Sequence, residues 1–382
     1  MKRNLFDAII EIIRTGFLGV TSHLDIDVED SMRFLNSIKE PSDDIEKSYA
    51  QYKCQCFLRR KLANLILNTG CSFVIIPYIV KCLFGKTQFK DQKDIVYSIS
   101  IRDSRIIPSS LRIEYPNELI TNEFDGAILK KDDLMFLWRV YIRHPLSFVF
   151  FLRIIIKVSF YRFFIEEYHP RAIAINAEFS SASSVMTYYC EQMGISHYNI
   201  MHGEKLKYIR DSFFRFSRCY IWDDFYKDLF ISLRADKNQF IIEKPESLLI
   251  DISKFKGKRP KVDYKYMLNG NTHLSEIACA LHKLRDKGFK VMVRPHPAYT
   301  NLDIVRQFFE ESEIEPCSVT IEESISNTEN VIALYSTVLL QSYFSGVGIV
   351  IDNVNYEKEY IKLKELNYIL INKQHQKLSD LI

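Results

Sequence analysis

The stretch Arg294-Pro295-His296-Pro297 carries the groups of this chain best placed for chemistry. It follows Lys290-Val-Met-Val, an apolar run with the length of a buried strand. A guanidinium and an imidazole just past a strand end suit a phosphate. Pro295 and Pro297 restrict the backbone on both sides of His296 and would help hold its ring in place. His-Pro also occurs at His144-Pro145 and His169-Pro170, so the pair alone says little. Of the three, His296 alone follows a strand-like run and an arginine. Ser336 and Thr337 come next. They follow strand-like Asn330-Val-Ile-Ala-Leu334 and fall where a helix would start, near Val338. Hydroxyls at such a point commonly cap a helix. The free N–H groups of a helix N-terminus can also receive phosphate. Gly270 and Asn271 turn the chain after Tyr264-Lys-Tyr-Met-Leu268 and would border the same anion site.

Proton transfer has four candidates: Glu178, Glu204, Asp125 and His202. Glu178 ends strand-like Arg171-Ala-Ile-Ala-Ile175 and precedes a serine-rich turn. His202-Gly203-Glu204 ends strand-like His197-Tyr-Asn-Ile-Met201, and Gly203 permits a tight turn there. A carboxylate or an imidazole in such a place can act as general base; an ordinary turn with a surface acid fits equally well. Asp125-Gly126 lies in a loop and is also an ordinary turn signal. Lys205, Lys207 and Arg210 would meet an anionic substrate or face solvent.

The elements needed to position these groups alternate. Strand-like runs at 94–101, 171–175, 197–201 and 219–222 are separated by a polar loop to about 132 and helical patterns over 133–167 and 182–193. Helical patterns follow at 224–233 and, closed by Gly288, at 274–287. Such alternation predicts parallel α/β sheets, which bind ligands at the carboxyl ends of their strands. The charged stretch 247–260 leads into a second unit, so the expected domains are 1–255, with a helical N-terminal region, and 256–382.

The 382 residues and the 47% hydrophobic fraction allow two domains with large cores. A formal charge of +3 gives no case for nucleic acid. The eight cysteines are scattered, and Cys54-x-Cys56 is a poor zinc pattern. Reduced thiols in a cytosol are expected. The start, Met1 to Val20, is amphipathic rather than signal-like. Ser72–Phe84 is too short to span a bilayer. Leu146–Phe164 is long enough, but Arg153, Lys157 and Arg162 interrupt it. It fits an interfacial helix with a cationic stripe, or a core helix whose charged ends snorkel outward. The chain stops at Leu381-Ile382 without a closing helical pattern, as a piece of a longer protein would.

No G-x-G-x-x-G fingerprint, Walker loop or G-x-S-x-G elbow occurs. Asp25-Ile26-Asp27 stands far from the other motifs, which favours a metal-independent mechanism. A strand ending in His-Gly, R-x-H-P at a strand end and a strand ending in Ser-Ser/Thr resemble bacterial surface-polysaccharide transferases of the GT-B fold. One branch comprises sialyltransferases and capsule transferases using CMP-linked acidic sugars. The other comprises CDP-glycerol polyol-phosphate transferases.

The resemblance covers about residues 170 to 352. It implies two Rossmann-like domains facing a central cleft, with no cofactor beyond a nucleotide-sugar donor. By it, His296 resembles the phosphate-binding histidine, with Ser336 and Thr337 as the hydroxyl pair. Asp125-Gly126 is similar to the end of an acid-acid-Gly motif. His202-Gly203 is similar to a W-H-G motif in which Met201 replaces Trp. The implied enzyme is an inverting glycosyltransferase for a capsule or lipopolysaccharide glycan. Its acceptor would be a glycan or lipid-linked oligosaccharide, and it would sit in the cytoplasm, touching the membrane peripherally. A polyol-phosphate transferase and a non-enzymatic binding protein of polysaccharide machinery are the alternatives.

Overall fold

The computed structural model describes residues 26–59, 61–98, 104–121, 126–255, 257 and 261–382. By contacts the chain divides into two compact units, Met1–Glu243 and Lys244–Ile382. The sequence reading set the boundary after residue 255. Residues 244–255 go with the second unit, where Gln341 Nε2 donates to the Ser247 carbonyl (2.9 Å) and Ile250 N–H to Ser345 Oγ (3.0 Å).

Within the described residues the first unit starts with helices α1 (Val28–Ser37), α2 (Asp44–Phe57) and α3 (Lys61–Leu83). Asp27 and Asp43 begin the first two by accepting N–H groups of the opening turn. There follow β1 (Ile95–Ser98), α4 (Ser109–Glu114), β2 (Glu118–Thr121), α5 (Lys131–Arg143) and α6 (Phe148–Tyr168). Then come β3 (Ala172–Ile175), α7 (Ser183–Gln192), β4 (Ser196–Ile200), β5 (Arg218–Ile221), α8 (Asp224–Ser232) and β6 (Phe240–Ile242). The strands form one parallel sheet in the order β2-β1-β3-β4-β5-β6.

The second unit holds β7 (Val262–Met267), α9 (Leu274–Asp286), β8 (Val291–Arg294), α10 (Leu302–Val305), α11 (Ile321–Ser326) and β9 (Thr328–Ala333). It ends with α12 (Thr337–Phe344), β10 (Gly348–Ile351), α13 (Glu357–Glu365), α14 (Ile369–Asn372) and β11 (Gln376–Lys377). Its sheet is also parallel, in the order β11-β10-β9-β7-β8. Both sheets therefore put their second strand on one flank of the first and the later strands on the other. This is the doubly wound α/β class expected from the sequence. The direction of winding reverses between β1 and β3 and again between β7 and β9, and ligands bind at such points. Tyr266, Leu281, Val293, Ile332 and Val350 fill the core of the second unit; each buried aliphatic side chain contributes ~1.5–3 kcal/mol.

Three expectations need correction. The polar loop expected up to residue 132 contains α4 and β2; β2 is a half-exposed edge strand and carries no continuous apolar signal. The single helical stretch 133–167 is two helices, broken at His144-Pro145, because a residue before proline is pushed out of helical geometry. The interfacial reading of 146–164 gives way to a core helix. Of its cations, Arg162 is bound bidentately by buried Asp133, and Arg153 donates to Gln55 Oε1 (2.6 Å) and Ser181 Oγ (3.2 Å). Burial lowers the Arg153 guanidinium to about 10.

The three His-Pro pairs also separate by job. His144 stacks on Tyr49, with ring centroids 3.5 Å apart, and contacts Glu46. His169 ends α6 in a left-handed conformation, φ 40°.

Candidate functional site

The second unit presents its polar groups at the carboxyl ends of β7, β8 and β9. After β7 the chain turns at Gly270, whose φ of +131° is open to glycine and strained for other residues. Asn271 Oδ1 accepts the Asn301 N–H at 2.9 Å, tying this turn to the loop that follows β8. That loop holds His296 from several sides. Its N–H donates to Thr300 Oγ1 at 2.9 Å, and its carbonyl accepts the Thr300 N–H at 3.1 Å. Its Nδ1 accepts the Ala298 N–H at 3.1 Å, and its ring stacks on Tyr299 with centroids 4.4 Å apart. With Nδ1 used as acceptor, the neutral ring carries its proton on Nε2. The residue is half-buried, so the ring is held without being sealed away. Past the end of β9, on the other side of β7, Ser336 caps α12, its Oγ accepting the Val338 N–H at 3.3 Å, and Thr337 is exposed at the first helical position. A held imidazole and a capped helix N-terminus on one carboxyl edge are groups that favour an anion.

Arg294 has a different setting. Its guanidinium is engaged by the Glu315 carboxylate and by the Val319 carbonyl (2.8 Å). Glu315 is buried and also accepts from Lys265 Nζ (2.7 Å) and Ser324 Oγ (2.6 Å). Burial alone would raise this carboxyl; Lys265 and the hydrogen bonds outweigh it and hold Glu315 below the usual carboxylate range. Arg294 thus anchors the strand end from which His296 projects. Sequence reasoning missed Glu315 and Lys265, since neither lies in a motif.

The first unit places Glu178, His202 and Glu204 at the ends of adjacent strands β3 and β4. Glu178 is wholly buried and ion-paired with Lys205. Burial would raise its carboxyl, but Lys205 and His202 hold it below the ordinary value. Its loop is fixed from α2: Gln51 Nε2 donates to the Glu178 carbonyl (2.8 Å) and Gln55 Nε2 to that of Phe179 (2.7 Å). His202 is half-buried, edge-on to Phe179, with no hydrogen bond to its Nδ1. Burial and the nearby Lys205 push its pKa below the ordinary imidazole value, so the ring is neutral at pH 7. Gly203 turns the chain with φ +67°. Glu204 is half-buried beside it. Arg210 lies over the rings of Tyr208 and Phe179, 4.8 and 5.2 Å from their centroids. Asp125 lies outside the described residues. All eight cysteines are free thiols. Among the described residues no group of three or more His, Cys, Asp or Glu converges to hold a metal.

No family model matches the sequence, and no curated protein matches it. Among solved structures, the chain is similar to a UDP-N-acetylglucosamine 2-epimerase from Rickettsia bellii, at 9% identity and TM-score 0.40 over 69% of this chain and 79% of that one. It is similar to the wall teichoic acid polymerase TagF at 10% identity and TM-score 0.39, over 88% and 87% of the two chains. A glycotransferase of kitacinnamycin is similar at 11% and 0.39, over 76% and 86%. Likenesses this distant carry no argument about activity.

Proposed function

We propose that this protein is a GT-B glycosyltransferase that uses a nucleotide-activated sugar to extend a bacterial surface glycan. The observation that carries the reading is His296: its ring is held by the Ala298 N–H and by Tyr299 just past β8, on the same carboxyl edge of the sheet as the capped start of α12. A fixed donor in that place answers the charge that develops on a leaving nucleotide phosphate. The donor would be a CMP-linked acidic sugar, held by His296, Ser336 and Thr337, with Gly270 and Asn271 shaping the turn. Arg294 positions this edge through Glu315. On the acceptor side, His202 is the best base, because it is neutral and partly accessible, whereas Glu178 is buried and paired. His202 would take the proton of an acceptor hydroxyl, and the oxygen would attack the anomeric carbon and expel the nucleotide with inversion. Metal independence and a cytoplasmic setting belong to the same proposal.

One observation favours a second reading, transfer of a polyol phosphate from a CDP-linked donor. A neutral histidine followed by glycine at the end of β4, together with R-x-H-P, resembles that branch. A thermal-shift screen against CMP, CDP, UDP, GDP and their conjugates, with and without Mg²⁺, separates the readings. A ligand at a hundred times its Kd stabilises the native state by about 2.7 kcal/mol. A metal-independent shift with CMP that is lost in His296→Ala is the expected result. Preference for CDP conjugates selects polyol-phosphate transfer. No shift with any nucleotide removes the transferase reading in favour of a binding protein.

A further inference from the structure

We infer that the outer face of α3, continued by α5, docks on a lipid bilayer carrying anionic headgroups. Among the described residues, α3 is the one helix long and apolar enough to cross a membrane, yet one side of it is fastened to its own unit. Cys71, Ile75 and Cys82 are buried. Along the same stripe Asn64 Nδ2 donates to the Cys56 carbonyl (2.8 Å), Asn68 bonds Leu146 and Val149, and the Tyr78 hydroxyl meets Ser159 Oγ (3.0 Å). The spacing of these six residues alternates between three and four, which is the seam of a helix packed along a neighbour. So α3 lies along the surface and does not leave it.

The opposite side is apolar and open. Leu62, Ile66, Phe73, Ile76 and Phe84 are 67, 62, 76, 70 and 81% exposed. The helix α6, equally apolar, has no such face, because the rest of the unit covers it. A continuous exposed apolar strip of this length marks an interaction surface. A second exposed apolar side lies on α5. The segments at both ends of α5 touch α3, through Leu129 N–H to the Cys82 carbonyl (3.1 Å) and Asn68 to the Leu146 carbonyl (2.8 Å). On α5, Met135, Trp138 and Ile142 share one exposed side. A half-exposed tryptophan suits the headgroup level of a bilayer.

Charge identifies the occupant. No Asp or Glu lies between Glu46 and Asp91, while Lys61, Lys81 and Lys86 stand exposed at the two ends of α3. Apolar residues between lysines, with no acid among them, complement an anionic lipid surface. A second copy of the same face would bring those lysines against each other. The inference is independent of the donor and of the base.

The test is flotation of the full-length protein with phosphatidylcholine vesicles, with and without phosphatidylglycerol. The wild type should float with the anionic vesicles. F73E/I76E should lower the bound fraction at least roughly tenfold, since two exposed apolar side chains that would enter the bilayer are replaced by acids, with far-UV spectrum and Tm unchanged. Phe73→Trp should show a blue-shifted emission with vesicles, quenched by bromine on the acyl chains. Undiminished flotation of F73E/I76E would overturn the inference, as would failure of the wild type to float. So would a lipid-free dimer, seen by light scattering, that F73E/I76E dissociates.

Discussion

The carboxyl edges of the two sheets share a strand order and differ in how they treat charge. In the first, the charge is inside: Glu178 and Lys205 are paired in a buried place, and His202 beside them is kept neutral. In the second, the buried charges form the Lys265–Glu315–Arg294 group, and the loops past the strand ends carry the held ring of His296 and the capped start of α12. A neutral imidazole next to a buried ion pair is suited to moving a proton. A held imidazole and a capped helix start are suited to receiving an anion. One topology thus carries two arrangements of charge, and the difference lies in where the ion pair is placed.

The largest effect should come from breaking the pair in the first unit. Glu178→Ala leaves a buried ammonium without its partner and should cost about 3–5 kcal/mol in urea unfolding. The Glu178→Leu/Lys205→Met double variant should recover most of that loss, because both charges are gone. A carboxyl depressed in the folded state contributes stability above its unfolded value of about 4.5 and loses it as the pH falls below. The gap between wild type and Glu178→Ala should therefore narrow below about pH 4.5. Equal stability of the two proteins at pH 7 would end the contrast drawn above.

Next in size is His202→Gln. If His202 is the base, kcat should fall roughly 10²–10⁴-fold with donor binding kept. The acid limb of wild-type kcat/KM should have its midpoint below 6.5, since burial lowers this imidazole. A midpoint below 4.5 would instead transfer the role to Glu178. The smallest effect belongs to the second unit. Ser336→Ala removes a helix cap and should cost about 1 kcal/mol of stability, with a modest loss of nucleotide affinity. A loss as large as that of His296→Ala would show that the hydroxyl itself holds the phosphate.

Much of this was legible in the sequence. The runs 172–175 and 196–200 read as strands because both faces of a parallel sheet are covered, so no alternation interrupts them. The edge strands β2 and β6 lack that cover, and neither was seen. His296 stood out because two prolines fence it. The role of Arg294 did not, because its partners Glu315 and Val319 reach it only through the fold. Arg153 and Arg162 read as an exposed stripe for the same reason: their acceptors come from α2, the loop before α7, and α5. The length of α3 was underestimated at Gly70, where a helix with tertiary support on its inner side simply continues.

The glutamines of α2 bear on how the protein can be cut. Gln51 and Gln55 reach the carbonyls of the loop that carries Glu178. The helix α2 is therefore tied into the loop edge of the first sheet. A fragment trimmed to begin at β1 would keep every strand and lose the clasp. A fragment meant to keep that loop in place should begin before Asp43.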